Sequence, residues 1–152
     1  MSDLRELYQE VIFDHYRHPR NRGVLEGANH TAVGNNPLCG DRISLYLLVD
    51  DGIVKDARFE GAGCAIATAS ASMMTEALIG KSESQAQALF ERFHAMVIGQ
   101  REPSDDVREA LGKLATLAGV REYPTRVKCA SLAWHALKAA VTAHDHEPVT
   151  TE

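Results

Sequence analysis

Hydrophobic positions along the chain follow two periods, helical at both ends and alternating in between. Leu4, Leu7, Tyr8, Val11, Ile12 and His15 fall on one helical stripe, which predicts a helix from an N-cap at Ser2 or Asp3 to about Tyr16. Pro19 closes it, because the residue before a proline is biased away from helical geometry. The basic run Arg17-His18-Pro19-Arg20-Asn21-Arg22 reads as a solvated helix end and loop that continues through Gly23 and Gly27. Residues 30–33 predict a short strand that ends in the turn chemistry of Asn35-Asn36-Pro37. Ile43, Leu45, Leu47 and Val49 then alternate with Ser44, Tyr46, Leu48 and Asp50, a strand of period two. Asp50-Asp51-Gly52 supplies a hairpin turn, and Ile53, Lys55, Ala57 and Phe59 mark one face of the return strand.

From Ala65 onward the spacing is helical throughout. A small-residue helix runs to about Ile79 and stops at Gly80. Ser82 caps a second, with Ala86, Leu89, Phe90, Phe93 and Val97 as its stripe and Gly99 as its end. A third begins near Pro103–Asp106, with Val107, Leu111, Leu114 and Ala118 inward, and a last one opens near Pro124 with Val127, Ala130, Trp134, Leu137 and Val141 inward. Strands first and helices afterwards predict an α+β fold, a small antiparallel sheet with helices mainly on one face. One domain spans residues 1–143, and the polar segment 144–152 reads as a flexible tail.

Composition narrows the function classes. At 152 residues the chain can form a core without disulfides. No run of about 18 apolar residues predicts a membrane span, and the opening residues lack the apolar stretch of a signal peptide, so a cytoplasmic protein is expected. A net charge of −5 with dispersed basic residues disfavours nucleic acid, which needs clustered cations to displace counterions.

The three cysteines change the picture most. An odd number without a secretory signal argues for reduced thiols rather than a disulfide framework. Cys39 lies in the turn Pro37-Leu38-Cys39-Gly40-Asp41, and Cys64 closes Gly61-Ala62-Gly63-Cys64 ahead of a helix. Cys129 sits two positions past Val127, about 200° around the last helix from the apolar stripe. Thiols in two glycine-flanked turns and off a core stripe point to convergence on one metal. Thiolates select zinc, copper(I) or iron–sulfur centres. A fourth position remains: Asp41 is the nearest candidate, since a CxD turn can aim both side chains at one point, and a histidine is the usual alternative. No CxxC spacing helps, because 24 and 64 residues intervene between successive cysteines.

At these residues the chain resembles the IscU/NifU-N-terminal superfamily of iron–sulfur cluster assembly proteins, and more closely its SufU branch. The resemblance rests on Leu7-Tyr8-Gln9-Glu10-Val11-Ile12-Phe13-Asp14-His15-Tyr16, His18-Pro19-Arg20-Asn21, Gly34-Asn35-Asn36-Pro37-Leu38-Cys39-Gly40-Asp41, Phe59-Glu60-Gly61-Ala62-Gly63-Cys64-Ala65-Ile66 and Arg126-Val127-Lys128-Cys129-Ala130. Scaffold members carry histidine directly before the third cysteine, where this chain has Lys128. An added segment from about Gly99 to Gly119 also looks like the SufU branch. The resemblance implies an IscU/SufU-like three-stranded sheet and a Zn²⁺ held by Cys39, Asp41, Cys64 and Cys129. It further implies acceptance of persulfide sulfur on Cys39 from a SufS-type cysteine desulfurase, with Arg126 as a basic group at the site and downstream iron–sulfur machinery as recipient. Four anionic ligands leave a zinc site formally at −2, which Arg126 and Lys128 are placed to offset. The alternative is a scaffold that builds and transfers a [2Fe–2S] cluster or holds iron.

Overall fold

The structure is a computed structural model that describes residues 2–36, 40–98, 114, 117, 124–142 and 149–150. Its described elements are α1 (Ser2–Arg17), β1 (His30–Asn36), β2 (Asp41–Asp50), β3 (Ile53–Ala62), α2 (Ala65–Leu78), α3 (Glu83–Val97), α4 (Pro124–Thr142) and β4 (Val149–Thr150). Three antiparallel strands in the order β3-β2-β1 form the sheet, and β4 adds two residues in parallel beside Gly34 and Asn35. The expected α+β architecture, a three-stranded antiparallel sheet with helices on one face, is present.

The hairpin forms where the sequence places it. Asp51 and Gly52 both have positive φ, 56° and 76°, as a two-residue type I′ connection demands. The return strand differs from simple alternation. Leu48 pairs with Asp56 but Val49 pairs with Val54, so Lys55 is the extra residue of a bulge. The inward set is therefore Val54, Ala57 and Phe59, not Ile53 and Lys55. Burying an unpaired ammonium is costly, and the bulge leaves Lys55 in solvent while reversing the phase of the strand.

Asn35 and Asn36 lie within β1, and the turn opens only at the Asn36 carbonyl, which accepts the Gly40 N–H at 2.8 Å. The register of β1 runs to the pair Asn36–Asp41, so pairing along the full edge of β2 overrides the turn preference of asparagine up to that point. Asp41 thereby becomes the first residue of β2. Gly34 sits within β1 because α4 crosses there, where a Cβ would stand 3.0 Å from the Leu132 side chain.

α4 lies at the centre of the fold, packed on β1, β2, α2 and α3. Its predicted stripe is buried at Ala130, Trp134 and Leu137, and its other side is buried too, at Cys129, Leu132, Ala133 and Ala136. Cys129 thus leaves the stripe yet stays inside. Trp134 stacks on Phe93 with ring centroids 4.3 Å apart, and its Nε1–H donates to Ser70 Oγ at 3.0 Å. Ser82 caps α3 as expected, and Gln85 returns a bond to the Ser82 N–H, completing a capping box. Of the segment expected between residues 99 and 119, only Leu114 and Leu117 are described, and both are buried. The tail lies outside the described residues except for β4.

Candidate metal centre

Three elements of different kinds deliver the candidate ligands. Asp41 enters from the first position of β2 and points to the helix-covered face, with its side chain 5% exposed. Cys64 is the N-cap of α2, with extended backbone and a sulfur that accepts the Ala67 N–H at 3.4 Å. Cys129 comes from the second turn of α4. Their ligand atoms all lie within 4.8 Å of one another. Tetrahedral zinc with ordinary bond lengths separates such atoms by about 3.5–3.8 Å, so a contraction of roughly an ångström would close the set.

The carboxylate supplies the fit test. Asp41 Oδ1 accepts the Cys64 N–H at 3.2 Å, whereas Oδ2 is buried without a hydrogen-bond partner. An unpaired buried carboxylate oxygen is costly. A cation between Oδ2 and the two sulfurs removes that cost, and a soft–hard donor set of two thiols and one carboxylate suits zinc or iron. Close packing keeps the loop small at Gly63, where a Cβ would meet Ala67 Cβ at 3.1 Å and Asp41 Cγ at 3.5 Å.

The two thiols titrate as a pair. Hydrogen bonding from Cys129, aided by the Ala67 N–H, holds Cys64 down to about 6 against the opposing effects of burial and of Asp41. Cys129 is pushed far up, first by Cys64 and then by burial and Asp41. One proton therefore stays between the two sulfurs at neutral pH, with the thiolate on Cys64. A metal must displace it. Above about pH 6 these two sulfurs release one proton per metal bound, from Cys129; below it Cys64 is protonated as well and they release two. Metal affinity measured against pH by chelator competition should accordingly steepen, by about a further tenfold per pH unit, as the pH falls through 6. A slope unchanged across that range would contradict the pairing.

Cys39, with Pro37 and Leu38, lies outside the described residues. Chain connectivity keeps it two residues from Asp41, and the flanking Gly40 N–H donates to Asn36 O at 2.8 Å. Arg126 is exposed in the first turn of α4, and Lys128 is half-buried beside Cys129. Three of the histidines make contacts elsewhere. His15 Nδ1 hydrogen-bonds Ser72 Oγ at 2.7 Å, and His94 and His135 pack on Phe90.

A family model described as the NifU-like N-terminal domain matches residues 7–130. The chain belongs to this family. It is 46% identical over 141 residues to the iron–sulfur cluster assembly scaffold protein IscU of Streptococcus pyogenes, covering 93% of this chain and 86% of that protein. It is 45% identical over 144 residues to the zinc-dependent sulfurtransferase SufU of Bacillus subtilis, covering 95% of each. A crystal structure assigned as an iron–sulfur cluster assembly scaffold for the SUF system of Fervidobacterium islandicum superposes with a TM-score of 0.82 at 35% identity, over 90% of this chain and 98% of that one. Among the described residues no helix is long and apolar enough to cross a membrane.

In this NifU-like domain the basic run after α1 is exposed at Arg17, His18 and Arg22, as expected, but it is anchored to the fold by its backbone and by Asn21. The Arg20 N–H donates to Ser72 Oγ at 2.9 Å and Asn21 Nδ2 to Thr75 Oγ1 at 3.2 Å. The Gly23 N–H donates to Phe59 O at 2.7 Å, and the Phe59 N–H to Asn21 O at 3.0 Å. Residues 20–23 thus bind α2 to the edge of β3 and carry the Arg22 guanidinium to Gly61 O at 3.4 Å. Arg22 was not legible as a site neighbour, because only the tertiary pairing with Phe59 brings it there. The small polar positions of α2, Ser72 and Thr75 among them, were the available signal.

Proposed function

We propose that the chain is a zinc-dependent sulfur acceptor in iron–sulfur cluster assembly that takes persulfide sulfur on Cys39 from a SufS-type cysteine desulfurase. The observation that carries the reading is the Asp41–Cys64–Cys129 cluster, set two residues from Cys39 in a chain close to a zinc-dependent sulfurtransferase. Cys39, Asp41, Cys64 and Cys129 are the proposed ligands. Zinc bound there supplies positive charge that keeps cysteine sulfur as thiolate at neutral pH.

The residues divide the work by access. Cys129 is buried and serves as an anchor. Cys64 is exposed, but its sulfur is tied to the Ala67 N–H. Cys39, on the connection between β1 and β2, is the thiol left to meet a partner. Its thiolate attacks the outer sulfur of the desulfurase persulfide; the donor S–S bond breaks, a new S–S bond forms on Cys39, and the donor cysteine leaves as thiolate. No net oxidation occurs. Arg126 offers a cation to the incoming anionic sulfur, and Lys128 offsets the charge of the ligand set.

Incubation of the metal-loaded protein with desulfurase and cysteine, followed by intact-mass analysis, is expected to show one added sulfur on the wild type and none on Cys39→Ser. Full acceptance by Cys39→Ser would sink the assignment. The name carried by the Streptococcus pyogenes relative favours a second reading, a scaffold for a [2Fe–2S] cluster, here substrate rather than resident metal. Anaerobic loading with equimolar zinc, ferrous iron and sulfide separates the two. About one zinc per chain supports the acceptor, and a brown protein holding iron and sulfide supports the scaffold.

A further inference from the structure

Two histidines that the thiol cluster does not use stand next to each other where α3 meets α4. His94 lies on α3 and His135 on α4, and each is half-buried. Their ring centroids are 5.3 Å apart with the planes at 76°. The buried Phe90 of α3 backs both rings. His94 stacks on it at 5.4 Å, and His135 meets it edge-on at 5.5 Å. One phenyl ring thus limits the tilt of either imidazole, and the pair is arranged before any ligand arrives.

The separation is the one that a shared metal ion sets. With Zn–N bonds of about 2.0–2.1 Å and ring centres roughly 1.1 Å behind the nitrogens, two imidazoles at a tetrahedral angle have centroids about 5.2 Å apart. Burial first, then His94 and Lys138, hold His135 below the usual imidazole range, and the neutral ring is the form that binds a metal. Glu91 is exposed and one helical turn before His94, where residues three apart are neighbours, so a carboxylate is at hand for a third position and water for a fourth. Lys138 works the other way. Its ammonium stands over Phe90, 5.3 Å from the ring centroid, and repels a cation beside the histidines. Arg92, two positions from His94, is about 200° around α3.

We propose that His94 and His135 form a second metal site, distinct from the thiol cluster, that takes a divalent transition ion of zinc's class across the α3–α4 junction. His135 is six residues past Cys129 on the same helix, about 9 Å along its axis. The donors select the ion: imidazole suits zinc and its transition-metal neighbours, whereas magnesium and calcium require oxygen ligands. Two neutral nitrogens beside a lysine hold an ion more weakly than Asp41, Cys64 and Cys129 do, so this site fills second. An ion held there joins two helices and stabilises the folded chain alone. The inference does not depend on whether the thiol cluster carries zinc or iron.

The test uses tag-free chain whose thiol cluster is already metal-loaded, titrated with further Zn²⁺ in equilibrium dialysis. The wild type is expected to take one additional zinc per chain and to gain melting temperature as it does so. His94→Gln and His135→Gln should each weaken that second equivalent by at least about tenfold and leave the first unchanged. Excess Mg²⁺ should not displace it. His144 and His146 near the C-terminus are the rival ligands, so the double variant His144→Gln/His146→Gln should retain it. Nitrogen NMR of the wild-type imidazoles reads the same contact without a substitution: the second equivalent should shift His94 and His135 and leave His15 in place. No second equivalent at millimolar zinc, retention of it by both single variants, loss of it in the tail variant alone, or shifts confined to other histidines would each overturn the site.

Discussion

Serine in place of Cys129 is expected to strip zinc from the chain while leaving the helix that carries it folded. The sulfur is buried on α4 and meets Cys64 and Asp41 within 4.8 Å, so no other described thiol can take its place. A serine hydroxyl stays protonated at neutral pH and is a poor zinc ligand. Loss of a group that merely supports a ligand costs about 10–100-fold in metal affinity, and loss of the ligand itself should exceed that. Stability gives an independent readout. Zinc at a thousandfold excess over its dissociation constant stabilises a protein by about 4 kcal/mol, about 8–16 °C in melting temperature for a domain of this size. The wild type should show that shift on zinc addition and Cys129→Ser should show almost none. A variant that kept both its zinc and its thermal response would remove Cys129 from the site.

The second large effect lies five residues further along the same helix. Trp134→Ala should lower stability by about 3–5 kcal/mol, read as a fall in the urea midpoint at unchanged m-value. The indole is fully buried, stacks on Phe93 and donates to Ser70 Oγ, whose own hydroxyl donates to Ala130 O at 2.6 Å. Truncation removes contacts to α2 and α3 together and leaves Ser70 with one unmet acceptor. Trp134→Phe keeps most of the volume and loses the hydrogen bond, so its cost should fall to about 1–2 kcal/mol. Equal costs for the two substitutions would show that packing matters less than the polar link.

How far the sequence reached depended on whether the deciding interaction was local. The Asp51–Gly52 turn, the Ser82 cap and the Cys64 position at a helix start each depend on residues within about four of one another, and all were legible. The convergence of Asp41, Cys64 and Cys129 was also legible, because cysteines outside an obvious core role carry chemical meaning without a contact map. The bulge at Lys55 was not, since alternation alone cannot show where a phase reverses; a lysine at an inward position was the available hint. The asparagines placed the turn early, because turn propensity is a local quantity and the pairing with β2 that carries β1 through Asn36 is not. Arg22 and the Ser72–Thr75 clamp depend on contacts spanning more than thirty residues, which no window along the chain contains.

The wide separation of the ligands along the chain also sets a schedule in time. During synthesis at about 5–20 residues per second, the 64 residues between Cys64 and Cys129 take about 3–13 s to emerge. For that interval Asp41 and Cys64 stand on a nascent chain that lacks α4, the helix that fills the centre of the fold and brings the buried thiol. Under the proposed zinc function, metal selection belongs to the finished polypeptide rather than to the ribosome-bound one, because ions met earlier would find only an incomplete chelate.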